Sequence, residues 1–466
     1  MIGKRRCCGT LNAPRTCGQE TIIRAGTNER HNVLTARTVL GLWLPLAVSF
    51  ELMMLEGPAF HAAIGRLADP ALNLAAWGLA MSLSLLIESP VIMLLGTSVA
   101  LSRDGPSFRA LRRFTVMLCA ICTVVTGVVA FTPAYDTIAV GLMGQPREIA
   151  DAARPAMHIM LFWTAAIGWR RFYQGVLVRH GWTRYVSYGT AIRLTAAVAV
   201  AVIFVRMNTL PGVQVAAVAI MAAVVSEALA STAFARPILN RIVLPSVDPI
   251  AEPLTQRAIW RFHMPLAATT LLSLLAIPLT AAALARMADP ERTLAAWPVA
   301  AMILLVIRGG GLAYQEITVA QARRPEAAHA LIAVAWMLGL AGSVLTVSVA
   351  LSPLLDTYLR YVVHVPRALH ELVATAITVG SIVPLLTALS SHARGILIAA
   401  ARTTEVYRSM ALSLAALGAA LVVGVAAELP AMWVASGSMT IAAGVEYAYL
   451  AVRSKHLGSS SDAVQQ

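Results

Sequence analysis

Polar and charged residues in this 466-residue chain come in short groups, and long apolar stretches run between them. Twelve such stretches are found, at about 37–60, 72–100, 112–132, 155–178, 185–205, 213–235, 257–284, 293–321, 328–351, 370–399, 406–427 and 430–452. A helix of about 20 apolar residues spans a hydrocarbon layer of roughly 30 Å, so each stretch is long enough to cross. The pattern predicts an all-α polytopic membrane protein with about twelve transmembrane helices.

The pattern also repeats. "RLADPALNLAAW", Arg66 to Trp77, returns as "RMADPERTLAAW", Arg286 to Trp297, at an offset of 220. At the same offset Pro45-Leu46-Ala47 matches Pro265-Leu266-Ala267, Val99-Ala100 with Arg103 matches Val319-Ala320 with Arg323, and Pro133, Asp136 and Thr137 match Pro353, Asp356 and Thr357. Pro146-Arg147 matches Pro366-Arg367, and Gly175 with Leu177 matches Gly395 with Leu397. An internal duplication explains this better than chance. Six helices per copy return the chain to its starting side, so the copies are expected as two parallel six-helix bundles related by a pseudo-two-fold along the membrane normal. The expected organisation is a basic tail at 1–36, a first bundle at 37–235, a cytoplasmic linker at 236–257, a second bundle at 258–452 and a tail at 453–466. The four prolines of "RPILNRIVLPSVDPIAEPLTQR" suit an extended linker, and "GSSSDAVQQ" reads as a solvated tail. In the repeated phrase, Asp-Pro is a helix-start signal, with aspartate expected to cap and proline to occupy the first turn. Trp77 and Trp297 follow about two turns later, where a membrane interface favours tryptophan.

Composition agrees with a lipid environment: 58% of residues are hydrophobic and 13% charged, against about 25% charged in soluble domains. The formal charge of +13 follows topology rather than a nucleic-acid surface. Connections expected inside hold 26 lysines and arginines and those outside 8, the asymmetry that places both termini in the cytoplasm. Among the five cysteines, Cys7, Cys8 and Cys17 lie in the basic tail, while Cys119 and Cys122 read as small core residues of an apolar helix. No apolar signal-peptide segment is visible in the first 20 residues.

Candidate chemistry lies where the copies disagree. "LLIESPVIMLL" puts Glu88, Ser89 and Pro90 at mid-membrane, and its counterpart "LLVIRGGGLAY" puts Arg308 at the Glu88 position, followed by Gly309, Gly310 and Gly311. Apolar segments interrupted by Pro or Gly at matching places point to a transporter's binding site, because freed backbone groups are tolerated there only beside protein or water. Glu88 and Arg308 are therefore expected to face a central cavity, either as a pair that switches or as a fixed bridge between bundles. Glu51 and Glu56 in "FELMMLEGPAFH" have apolar counterparts, Leu271 and Ala276. Five residues apart, they share a cavity only if the helix bends, as Gly57-Pro58 would permit. A buried carboxylate can exchange a proton near neutral pH, and Glu56 is the first candidate for ion coupling. Arg193 and Glu316 are further candidates for the substrate cavity. Glu227 and Glu446 read more readily as structural contacts.

These features together resemble the multidrug and polysaccharide exporter superfamily, two six-helix bundles around a central cleft. "EGPAFHAAI", "LAAWGLAMSLSLLIESP" and "LAYQEITVA" look most like its progressive ankylosis branch. The resemblance implies a secondary active exporter of a small organic solute, driven by H⁺ or Na⁺ through a first-bundle carboxylate, for which Glu56 is the matching position. The drug-exporting reading implies cationic cargo and the ankylosis-type reading anionic metabolites; a lipid-linked saccharide flippase is a further alternative. A membrane enzyme or receptor is the rival class, yet the sequence carries no GxxxxGK[ST] loop, no HExxH and no acidic cluster for Mg²⁺ and diphosphate. The expectation is thus a non-enzymatic carrier without cofactor, a monomer in the plasma or inner membrane, taking a small-molecule substrate and no nucleic acid.

Overall fold

The computed structural model of the protein describes residues 35–180, 182–246, 254–322, 324–400 and 402–462. Among the described residues the chain is all-helical, with no strand. The N-terminal half opens with α1 (Ala36–Met54), then α2 (Glu56–Ile64), α3 (Pro70–Ile92), α4 (Leu94–Leu101) and α5 (Gly105–Phe131). A π-helical turn (Thr137–Leu142) leads into α6 (Arg147–Ile159), α7 (Trp163–Arg179), α8 (Thr183–Met207) and α9 (Gly212–Ile238). The C-terminal half repeats the order with α10 (Gln256–Leu284), α11 (Pro290–Gln321), α12 (Ala328–Leu351), a π-helical turn (Tyr358–Val363), α13 (His370–Val379), α14 (Val383–Ala399), α15 (Thr403–Ala426) and α16 (Ala431–Asp462).

Local devices recur at the sequence offset. Thr35 caps α1 by accepting the Thr38 N–H, and Thr255 caps α10 by accepting the Ala258 N–H. α3 and α11 both start at a proline that follows a left-handed aspartate, Asp69 (φ 49°) and Asp289 (φ 51°). Neither aspartate caps its helix with its side chain, contrary to the sequence expectation. A short Asp side chain tolerates the left-handed region, and that turn is what the phrase supplies. Asn73 reinforces it in the first copy, donating to the carbonyls of Ala68 (2.9 Å) and Asp69 (3.0 Å) while accepting the Val213 N–H. Trp77 is not at an interface: it is buried, edge-on to Phe60.

One close packing is also built twice. Gly175 on α7 lets Leu95 and Ser98 of α4 approach, a Cβ there falling 2.7 Å from the Leu95 carbonyl. Gly395 on α14 does the same for α11, where a Cβ would meet Thr318 at 2.6 Å and the Gln315 carbonyl at 3.1 Å. Gly175→Ala is expected to cost about 1–3 kcal/mol through forced backbone displacement. Gly96→Ala, with open space around it, should stay within about 0.5 kcal/mol; thermal unfolding of the two purified variants in detergent compares them.

Among the described residues eight helices are long and apolar enough to cross a membrane, nine when Arg367–Val379 and Val383–Ala399, bent by 41°, form one span. Some of the stretches expected to cross are interrupted or less apolar. The 37–60 stretch breaks at Leu55, the 155–178 stretch breaks around Met160–Phe162, and α16 is less apolar than its length suggested. The expected linker is partly helical, since α9 and a π-helical turn run on to Val243; 247–253 and the 1–34 part of the basic tail lie outside the described residues. The expected C-terminal tail is helical as far as Asp462. Large apolar side chains exposed at matching positions, such as Val124 of α5 and Val344 of α12, form the lipid-facing surface that a bilayer would cover.

How the halves meet positions the site. α3 packs along α11, with Gly78 against its counterpart Pro298, where a Cβ would fall 2.6 Å from Cγ. The largest apolar cluster is continuous across both halves at the end carrying Asp69 and Asp289, taking in Ile64, Leu74, Tyr135, Leu284, Ala300 and Leu359. At the opposite end the C-terminal half keeps separate clusters, such as that of Val39, Tyr314 and Leu331. The first end, expected outside from the charge asymmetry, is closed.

Candidate functional site

The first helix of each half crosses to the other. α10 packs on α3 and α5 of the N-terminal half: His263 bridges Thr97 Oγ1 and the Pro90 carbonyl, both at 2.8 Å, and Trp260 stands edge-on to Phe114. α1 packs on α11 and α12 of the C-terminal half, and Trp43 Nε1 donates to the Gly310 carbonyl at 2.8 Å. At Leu55 the chain breaks, and α2 returns to α8 and α9 of its own half. The two candidate carboxylates sit on opposite sides of that break and are sent to different halves. The break falls one turn before Pro58, whose missing N–H leaves the Met54 carbonyl without its helical partner, as the Gly57-Pro58 reading anticipated.

Glu56 is buried and accepts from Arg193 of α8, Nε to Oε1 at 3.2 Å, with a second bond from the terminal nitrogen to Oε2. Arg193 also faces Glu227 of α9 at 3.6 Å. Glu227, 1% exposed, takes a further ion pair from Arg170 of α7 and a 3.0 Å hydrogen bond from Gln174. Glu88 on α3 is 5% exposed, and the cations acting on it are Arg171, then Arg170 and Arg193. Its Oε2 and the Nε atoms of Arg170 and Arg171 have no hydrogen-bond partner. The result is a cluster of three carboxylates, Glu56, Glu88 and Glu227, among three guanidiniums, Arg170, Arg171 and Arg193, satisfied at Glu227 and loose at Glu88.

The C-terminal half is built differently. Glu51 takes the Gly310 N–H and lies against Gly309, where a Cβ would fall 2.5 Å from Oε1. Gly309, Gly310 and Gly311 do not break α11, which is continuous from Pro290 to Gln321. Their missing side chains instead admit Glu51, Trp43 and the Ala388 backbone. Pro90 likewise lies inside α3, which ends two residues later at Ile92. The cation opposite Glu88 in the alignment, Arg308, does not pair with it: the carboxylate acting on Arg308 is Glu446. Glu446 is already ion-paired to Arg394 of α14, which also reaches Gln315 Oε1 at 3.3 Å. Among the described residues Arg308 makes no ion pair of its own, Glu446 acting on it only from beyond contact distance, and the Nε atoms of Arg308 and Arg394 are without a hydrogen-bond partner, as are His392 Nδ1 and Ser390 Oγ. Glu316 is exposed toward the C-terminal end of α11, matching the exposed Gly96 of the first half. No group of three or more His, Cys, Asp or Glu suited to a metal ion occurs among the described residues.

Arg170, Arg171, Gln174 and Arg394, none of them among the candidates from sequence, lie on helices α7 and α14. The repeat held the signal: Arg170, Arg171 and Gln174 align with Ser390, Ser391 and Arg394, another place where the copies disagree. Arg193, a candidate for the substrate cavity, is engaged by Glu56 and Glu227.

No family model matches the chain, and no curated protein matches it. Solved structures do. A multidrug resistance MATE family transporter of the MOP superfamily, in its inward-facing conformation, aligns over 92% of this chain and 100% of its own at 16% identity and a TM-score of 0.61. A MOP superfamily transporter from Pyrococcus furiosus, described as having a binding pocket of reversed polarity, covers 91% and 96% at 17% identity and a TM-score of 0.63. The lipid II flippase MurJ, in an inward closed conformation, covers 88% and 87% at 10% identity and a TM-score of 0.67. The chain has the fold of this superfamily's membrane transporters, as the resemblance implied; the ankylosis branch remains an expectation.

Proposed function

We propose that this protein is a secondary transporter that exports a small organic anion by alternating access, with Glu56 as the ion-coupling group and Arg308 as the anion-recognising one. The observation that carries the reading is the imbalance between the two clusters: charge is matched around Glu227, whereas Glu446 alone serves Arg308 and Arg394. A cation at membrane depth costs about 2.5–3.5 kcal/mol on insertion scales, and an anionic solute entering from the inner side would offset that cost. Glu56 sits just beyond the Leu55 break, held to α8 through Arg193, while Glu51 before the break stays on α11. A proton or Na⁺ at Glu56 would weaken the hold on Arg193 and let α2 move against α1, which biases the equilibrium between inward and outward states. In this reading the units at 37–235 and 258–452 rock against each other as a monomer in the plasma or inner membrane, with both termini cytoplasmic and no cofactor.

The test is citrate binding to the purified protein, followed by calorimetry. Arg308→Gln removes a charge-assisted contact of about 1.5–3 kcal/mol, so affinity should fall about tenfold or more. Unchanged affinity would remove Arg308 from recognition. A phosphate-bearing, lipid-linked saccharide offers Arg308 the same chemistry, and displacement of citrate by a short-chain prenyl diphosphate sugar would favour the flippase reading.

A further inference from the structure

The closed outer end is fastened in a way that the repeated phrase itself explains. Arg66 and Arg286 are the first residues of its two copies. Arg66 donates to the carbonyl of Ala62 on its own helix (2.5 Å) and, across the interface, to Val362 (2.7 Å). Arg286 donates to Ala282 on its own helix (2.6 Å) and, across the interface, to Met143 (2.8 Å) and Leu142. Donors, own-helix anchors and the Leu142 and Val362 acceptors all correspond at the offset of 220. In both cases the acceptors end a π-helical turn of the opposite half, where the last carbonyls lack partners within the helix and the helix end favours a cation.

We propose that Arg66 and Arg286 form twin clasps that hold the outer end shut, and that outward opening requires both to release. The proposal rests on the alternating-access reading given above. Both arginines are exposed, so water can replace the carbonyls as they part, which makes the clasps reversible where an ion pair buried in lipid would not be. Their surroundings are shaped for the closed state. Gly65, beside Arg66, lies directly under the Val363 carbonyl, where a Cβ would collide with backbone. Gly144 takes a left-handed φ of 68° and lets Arg286 lie over it, with a Cβ there 3.2 Å from Cζ. Gln145, 2% exposed, adds a donor to the Ala281 carbonyl at 3.2 Å. Because every acceptor is a main-chain carbonyl, the arginine side chains are the parts that substitution can remove.

The experiment uses the full chain in nanodiscs, with Cys7, Cys8, Cys17, Cys119 and Cys122 replaced by serine and spin labels at F131C and L351C. These exposed positions correspond in the two halves at the outer ends of α5 and α12. Double electron–electron resonance then reads the outer separation without any substrate, so a wrong cargo assignment leaves the outcome intact. Wild type should give one dominant distance. R66A and R286A should each raise a longer-distance population about tenfold, and the double variant should make it dominant. R66K/R286K, which keeps charge but fewer donors, should fall between. If the double variant is too unstable to purify, the two single variants decide. Distance distributions that match wild type in both singles, or in a folded double variant, overturn the proposal. Loss of citrate binding with the expected distance changes would instead count against the cargo reading alone.

Discussion

Glu227→Ala is expected to destabilise the folded protein by about 3–5 kcal/mol, the usual cost of breaking a buried ion pair by removing one partner. Glu227 accepts from Arg170 and Gln174 and faces Arg193, so its loss leaves Arg170, 4% exposed, without its carboxylate. Arg193 would keep Glu56 but lose the charge that orients its other side. Glu88→Gln is the contrast. Glu88 is comparably buried, yet its Oε2 has no hydrogen-bond partner and no ion pair within 4.0 Å fixes it. That variant should stay within about 1 kcal/mol of wild type. Thermal or SDS-titration unfolding of the three proteins in one detergent compares them, and equal stabilities for Glu227→Ala and wild type would show that the cluster does not hold α7, α8 and α9 together.

The second large effect is functional. Glu56→Gln keeps the size of the side chain and an oxygen that can accept from Arg193, but removes the charge that a proton or Na⁺ would neutralise. Gradient-driven export should fall to the level of protein-free vesicles. Exchange of labelled for unlabelled substrate, with no gradient imposed, should persist, because substrate recognition lies in the other half. Wild-type gradient dependence in Glu56→Gln would transfer the coupling role to another group, and Glu88, with its free oxygen, would be next.

The all-helical class and most of the apolar spans could be read from the chain because apolar length survives without knowledge of packing. The chemistry was legible only in part. Glu56, Arg193, Glu88 and Arg308 stood out as charges in apolar stretches, but their partners lie 137 residues away for Glu56 and 138 for Arg308, and sequence gives no such distances. Arg170 and Arg394 were hidden by neighbouring surface arginines that made their helices resemble basic loops. Pro90 and Gly309 to Gly311 were expected to break helices, yet tertiary contacts overrode local propensity: α11 continues because Glu51, Trp43 and Ala388 occupy the space the glycines leave. The first helix does break, at Leu55, one turn before Pro58, which has no N–H for the Met54 carbonyl, and there it leaves one half for the other.

The copies therefore divide the work. Where they agree, at Asp69 and Asp289, Gly175 and Gly395, or Arg66 and Arg286, they build matching turns, close packings and contacts between the halves. Where they disagree, at Glu56, Arg170 and Arg308, charge is matched in one half and left open in the other. The most direct test of this account is flux in proteoliposomes under an imposed inward proton gradient, and in parallel a Na⁺ gradient, with citrate, ATP and a lipophilic cation dye offered together. The account predicts gradient-driven movement of citrate or ATP that Arg308→Gln suppresses. Gradient-driven movement of the dye alone, unaffected by Arg308→Gln, would contradict it.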